Sequence, residues 1–321
     1  MNEFYSLDAS VGKPKIGLAL GSGIVRGWAH IGVIRALVKH GFKPDIIAGT
    51  SVGALAGAAY ATDKLDDLED WARDLTRMRM MRYMDLHVKT GGLLGGRKLY
   101  KLLREHWSEM DIEALPVKFV AVATDMVTGH EVWLRSGDLV QAMRASFALP
   151  GIFPPMRYAN RLLVDGALVN PVPVSACQAL GANMIIAVNL NGDVIGKARK
   201  PGKSYPTIAG FDPSTEGAPN IAKRLFNRKP DSPSVFGVLA SAMNIVQDRL
   251  ARSRLAGEPP DVMIVPRIGH IGLMEFEKVD ELIRAGEAAV EAMLPQLRDA
   301  WQVLCVDGFS QDEDDGIEGA T

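Results

Sequence analysis

The sequence predicts an α/β fold in which a mainly parallel sheet lies between helices. Short apolar runs at residues 16–20, 45–48, 117–123, 162–164 and 184–188 have strand length, and segments of helical periodicity separate them. Two of these runs lead at once into glycine-rich turns that open onto helix-forming sequence. A chain of 321 residues is long enough to bury one large core.

The elements follow in order. Residues 16–20 read as a strand, 28–39 as a helix, 45–48 as a second strand and the alanine-rich 52–61 as a helix. Residues 65–84 and 97–110 read as helices on either side of a glycine-rich break at 91–96. Strands at 117–123 and 130–134 flank a turn; then come a helix at 139–146, a strand at 162–164, a helix at 174–180 and a strand at 184–188. These elements make a core over 15–190. Residues 191–233 are rich in proline, glycine, serine and charge, which reads as a mobile loop or linker. A helix at 238–255, a strand at 262–265 and a helix at 279–297 make 234–305 the C-terminal part of the same domain. Residues 306–321, acidic from Gln311 on, read as a disordered tail.

Three turns carry the chemistry. The second, Gly49-Thr50-Ser51-Val52-Gly53, has the Gly-x-Ser-x-Gly spacing of a nucleophile elbow between strand and helix. So tight a turn leaves no room for flanking side chains and lifts the serine hydroxyl clear, at the positive end of the next helix. The plainer alternative is a serine that only caps that helix.

The first turn, Gly21-Ser22-Gly23-Ile24-Val25-Arg26-Gly27, resembles a dinucleotide fingerprint but fails its spacing, because Arg26 stands where the third glycine belongs. It also lacks the Gly-Lys-Ser/Thr of a phosphate loop. What remains is a loop of backbone amides at a helix N-terminus, aimed at developing negative charge, or a plain strand-to-helix turn.

The third turn is Asp165-Gly166-Ala167. Most such aspartates hydrogen-bond only their own backbone. A Ser–Asp–His triad in that chain order would need a histidine after Asp165, and His270 alone qualifies, beyond the 191–233 segment. Too few strands precede Ser51 for the α/β-hydrolase arrangement, so a Ser51–Asp165 dyad reads better.

Other residues have two readings each. His30 reads as a packing or capping residue rather than a base, and Arg26 as a pin for backbone carbonyls rather than an anion ligand. Asp125 reads as a turn cap. The segment 77–84 alternates Arg and Met, as a membrane-facing lid or a methionine-lined core face would. No His/Cys/Glu cluster has metal-ligand spacing, and no cofactor is expected.

Together the motifs Gly21-x-Gly23-x-x-Arg26-Gly27, Gly49-x-Ser51-x-Gly53 and Asp165-Gly166-Ala167 resemble those of bacterial patatin-like phospholipases, in the branch related to neuropathy target esterase. Lesser echoes are Ala29-His30-Ile31-Gly32-Val33, the Ala145-Ser146-x-Ala148-x-Pro150 segment and Asn170-Pro171-Val172-Pro173. The likeness is close over about 15–190. It implies a patatin-like three-layer sandwich, Ser51 as nucleophile, Asp165 as its base, and the amides of Gly23 and Ile24 as oxyanion donors. It also implies a phospholipid or lysophospholipid substrate, where the residues by themselves reach only ester hydrolysis. In that family the first loop is usually a run of glycines; here Ser22 and Ile24 interrupt it. A β-branched residue at positive φ is strained, so either Ile24 bears that strain or the loop takes another path. A non-catalytic lipid-binding or regulatory adaptor on the same scaffold is the alternative function. A nucleotide-binding oxidoreductase fails on glycine spacing.

A formal charge of −2 with no basic region argues against nucleic acid as a partner. Cys177 and Cys305 are too few for a disulfide framework, which points to a reducing compartment. Residues 1–15 carry no apolar leader core, and no apolar run is long enough to span a bilayer. The expectation is a cytoplasmic enzyme that meets its lipid ester at a membrane surface, in peripheral contact.

Overall fold

The computed structural model describes residues 14–75, 97–107, 110–193, 235–272 and 275–310. Among these residues eight strands form one mixed sheet: β1 (Ile16–Leu20), β2 (Ile46–Thr50), β3 (Lys118–Asp125), β4 (Glu131–Leu134), β5 (Met156–Tyr158), β6 (Arg161–Asp165), β7 (Met184–Val188) and β8 (Val262–Ile264). The order across it is β5-β6-β3-β2-β1-β7-β8, with β4 paired to β3. The β3–β2–β1–β7–β8 stretch is parallel, while β4 and β6 meet β3 antiparallel.

Alternation along the central strands divides their side chains between two helical layers. Leu18, Leu20, Ile47, Phe119, Ile186 and Val188 point into the larger core. That core is completed by α1 (Ala29–Lys39), α2 (Val52–Ala61), α3 (Leu65–Asp74) and α5 (Leu139–Ser146), and by α8 (Val279–Ser310); α4 (Arg97–His106) lies beside α5. Ala19, Ile46, Ala48, Val120, Ile185 and Ala187 face the other way, onto α6 (Val174–Ala179) and α7 (Val235–Gly257). Strands β1, β2 and β7 are buried on both faces, which is why they read as unbroken apolar runs.

Differences from the sequence reading are local. The hairpin of β5 and β6 was legible only as its second strand, because Met156-Arg157-Tyr158 is too short and mixed to announce itself. Helix α3 is described to Asp74; the remainder of the 65–84 helix, the Arg/Met segment at 77–84 and the break at 91–96 lie outside the described residues. So do nearly all of the 191–233 linker and the tail from 311. Helix α8 runs through Ser310 and bears Pro295 inside it.

The α1–α8 contact is close enough to exclude a methyl group. A Cβ at Gly32 would lie 1.9 Å from the carbonyl oxygen of Ile283, and one at Gly286 would lie 2.1 Å from that of Ala29. Helix propensity alone favours Gly→Ala by ~0.5–1 kcal/mol. Here the opposing atoms are backbone and cannot rotate away, so sterics win. Gly32→Ala is expected to destabilise the fold by ~1–3 kcal/mol, the usual range for overpacking, as read from urea denaturation. A stabilised Gly32→Ala variant would show that the helices stand farther apart.

Candidate active site

Strand β2 ends at Thr50, and Ser51 follows with φ 58° and ψ −124° before α2 begins. This is strained backbone for a non-glycine residue. The strand runs so directly into the helix that a Cβ at Gly49 would lie 2.4 Å from the Cα of Ala54. A Cβ at Gly53 would lie 2.1 Å from the carbonyl oxygen of Leu20, so the elbow packs against the end of β1. The Ser51 side chain makes no capping hydrogen bond to α2, which removes the reading of a serine that only caps the helix. Its backbone N–H instead donates to Ser146 Oγ at 2.8 Å, and Ser146 Oγ donates to the Val122 carbonyl at 2.6 Å.

Asp165 arrives from the other direction. Strand β2 pairs with β3 up to Thr50–Val122, and β6 pairs with β3 from Asp165–Ala123. The two strand ends therefore meet over adjacent residues of β3. Ser51 Oγ donates to Asp165 Oδ2 at 2.6 Å, and Asp165 Oδ1 accepts from the Ala167 N–H at 2.8 Å. The backbone turn read from the sequence is thus real, but it uses only one carboxylate oxygen. Gly166 is needed beside it, since a Cβ there would lie 2.2 Å from the Val122 carbonyl oxygen. Thr124 Oγ1 donates to the Asp165 carbonyl, and Thr50 Oγ1 to the Asn170 carbonyl, each at 2.8 Å.

Asp165 is 1% exposed and Ser51 8%. Burial raises the Asp165 carboxyl from 3.8 to about 7, against the lowering effect of its bonds from Ser51 and Ala167. A carboxylate with that pKa accepts protons far better than an exposed aspartate.

The first glycine turn lies against this pair. A Cβ at Gly27 would lie 2.1 Å from Val52 Cγ2, so the loop and the elbow are in direct contact. The Gly21 N–H donates to the Val188 carbonyl and the Ser22 N–H to the Pro171 carbonyl. Among the described residues no acceptor takes the Gly23 or Ile24 N–H. Ile24 has φ 52°, so it bears the left-handed strain rather than redirecting the loop. Strain of this kind costs ~1–3 kcal/mol and persists only where the surroundings over-determine it.

Those surroundings are specific. His30 is fully buried and its Nε2 lies 2.8 Å from the Gly21 carbonyl oxygen. Burial lowers its pKa to about 4, so the neutral ring donates to that carbonyl and cannot serve as a protonated acid. Arg26 is buried; its Nε and Nη2 donate to the Ile271 carbonyl at 2.9 and 2.7 Å. Burial lowers its pKa to about 10, which leaves it charged at neutral pH. His270 pairs with Glu281 at 2.6 Å. Asp125 Oδ1 accepts from Val127 and Thr128 N–H groups, as a turn cap does.

Sequence reasoning missed Ser146, Thr50 and Thr124, which hold the Ser51 N–H, the Asn170 carbonyl and the Asp165 carbonyl. Ser146 and Thr50 lay in segments already singled out, without a role of their own; Thr124 has no local signal. Among the described residues no group of three or more His, Cys, Asp and Glu side chains could hold a metal ion, and no helix is long and apolar enough to cross a membrane.

Comparison with known proteins places the chain in a family. The patatin-like phospholipase family profile matches residues 18–177, which include all three turns. An uncharacterized NTE family protein of Mycobacterium tuberculosis is 34% identical, covering 86% of this chain and 90% of its own length. A second from the same organism is 29% identical, covering 91% of this chain and 48% of its own. The lysophospholipase NTE1 of Debaryomyces hansenii is 26% identical over 96% of this chain, which corresponds to 20% of that much longer protein. The chain belongs to the patatin-like phospholipase family, in the branch that carries the NTE name.

Proposed function

We propose that the protein hydrolyses carboxylic esters of lipids, with Ser51 as nucleophile and Asp165 as its base. The observation that carries this reading is the buried 2.6 Å bond from Ser51 Oγ to Asp165 Oδ2. Ser51 Oγ attacks the acyl carbonyl carbon as its proton passes to Asp165 Oδ2. The carbonyl oxygen becomes an oxyanion, for which the unengaged N–H groups of Gly23 and Ile24 are the donors. Collapse expels the alcohol, which takes the proton from Asp165, and leaves an acyl-serine. Water then attacks the acyl carbonyl as Asp165 takes its proton; collapse breaks the bond to Ser51 Oγ, which regains that proton from Asp165, and fatty acid leaves. No step calls on a metal or cofactor. Family membership and the lysophospholipase relative support a phospholipid or lysophospholipid substrate, met in peripheral contact with a membrane surface.

The decisive experiment is labelling with a fluorophosphonate. The probe is expected on Ser51, and Ser51→Ala should lose both labelling and esterase turnover, by ~10⁴–10⁶ as for other activated serines. Asp165→Asn should be nearly inactive, whereas His30→Ala and His270→Ala, if folded, keep the nucleophile activated. A protein that is folded, unlabelled and inert on lipid esters would instead be the non-catalytic adaptor.

The raised Asp165 pKa fixes two pH dependences. As base it works only when ionised, so kcat/KM should rise with pH through about 7. Stability runs the opposite way. The folded carboxyl holds its proton more tightly than the unfolded one, so folding gains from it at acidic pH. That gain is lost as pH rises from 3.8 through about 7. Asp165→Asn carries no such titration, and its stability relative to wild type should increase between pH 5 and pH 8. A constant difference across that range would mean that Asp165 is not shifted.

Glycine adopts the φ of 52° seen at Ile24 without strain. Ile24→Gly is therefore expected to keep or raise turnover on a short-chain ester. A fall of tenfold or more in a folded variant would remove the Ile24 amide from the oxyanion site.

A further inference from the structure

The glycine loop is strained at Ile24 and must be held from outside, so each of its anchors matters. Gly21 is fixed on both sides, by the Val188 carbonyl and by His30. Arg26 is fixed by the Ile271 carbonyl. Between them Ser22 is the last anchor before the free Gly23 and Ile24 amides. Its N–H meets Pro171, and its hydroxyl donates to Gln247 Oε1 at 3.2 Å. Gln247 belongs to α7, 225 residues away and beyond the matched 18–177 region.

Gln247 and its neighbour Asp248 are polar side chains buried on α7. The preceding residues Ile245 and Val246 are about half exposed, at 50% and 52%, whereas Gln247 is 8% exposed and Ser22 3%. Two apolar side chains thus face outward on this turn of α7 while an amide points inward, although Ala251 and Leu255 farther along pack into the core. A buried amide oxygen is costly without a donor, and the donor here is Ser22. Packing alone would favour an apolar side chain of the same length at this position.

We propose that Gln247 is a positioning residue for ester hydrolysis: through Ser22 it keeps the Gly23 and Ile24 amides turned toward the oxyanion. This rests on the Ser51–Asp165 reading for the reaction, but the contact itself is independent of it. When the bond is lost, Ile24 relaxes toward negative φ, and that rotation swings its N–H away from the site. Ground-state binding of the ester is untouched, since neither side chain is placed in contact with it.

The test uses Gln247→Met, which keeps length and loses the acceptor, Ser22→Ala, and the double variant, in the full chain. On p-nitrophenyl butyrate each single change is expected to lower kcat about tenfold, below the ~10²–10³ of losing an oxyanion donor outright, with KM within twofold. The double variant should be no worse than the poorer single, because both remove one bond. Multiplied losses, a change in KM alone, or unchanged kcat in folded single variants would overturn the proposal. Hydrogen–deuterium exchange of the 21–25 amides without substrate supplies an arm that needs no turnover. It should quicken in Gln247→Met and Ser22→Ala and stay at the wild-type rate in Arg249→Ala, an exposed change on the same helix. Unaltered loop exchange in the first two overturns the positioning role even in a protein that hydrolyses nothing. Quickened loop exchange in a protein without esterase turnover leaves the contact standing and removes the reaction assigned to it.

Discussion

The hydrogen bond between Ser51 Oγ and Asp165 Oδ2 is the interaction on which the local architecture depends. Its two groups come from turns 114 residues apart, and both turns hang on β3. Parallel β2 leaves β3 at Val122, and antiparallel β6 joins it at Ala123. A one-residue slip of β6 would turn Asp165 to the opposite face of the sheet. Ser146 and Thr124 guard against that, by tying the Ser51 amide to the Val122 carbonyl and by bonding the Asp165 carbonyl. Gly166 does so sterically, through its approach to Val122.

The same site concentrates what folding normally avoids. Ser51 and Ile24 both have positive φ, and Asp165 is a buried carboxyl with two hydrogen-bond donors among the described residues. Each is unfavourable alone. In the proposed reaction each is also useful: the elbow presents the hydroxyl to Asp165, the strained loop leaves two amides without acceptors among the described residues, and burial makes the carboxylate basic. The compensation is spread through the surrounding core, where the central strands are buried on both faces.

Part of that compensation comes from the C-terminal third of the chain. Strand β8 extends the sheet beside β7, α8 packs on α1, and Ile271 receives Arg26 from the glycine loop. Helix α7 adds the Gln247 contact to Ser22. The matched region at 18–177 contains the motifs, but it does not contain everything that holds them in place.

The sequence by itself determined the features that depend on neighbours along the chain. The parallel strands were legible because strands buried on both faces must be apolar throughout, and the elbow because close approach of β2, α2 and β1 admits only glycine at positions 49 and 53. Asp165 was legible through chain order and the scarcity of later histidines. The strain at Ile24 was legible as one of two outcomes, and only the fold chose between them, since the positive φ is imposed by anchors on either side of the loop. The short β5 strand, Ser146, Thr124 and the α7 glutamine were decided by tertiary structure alone. Their roles are hydrogen bonds to backbone or side chains far away in sequence, and a polar residue carries no local mark of which distant partner will bury it.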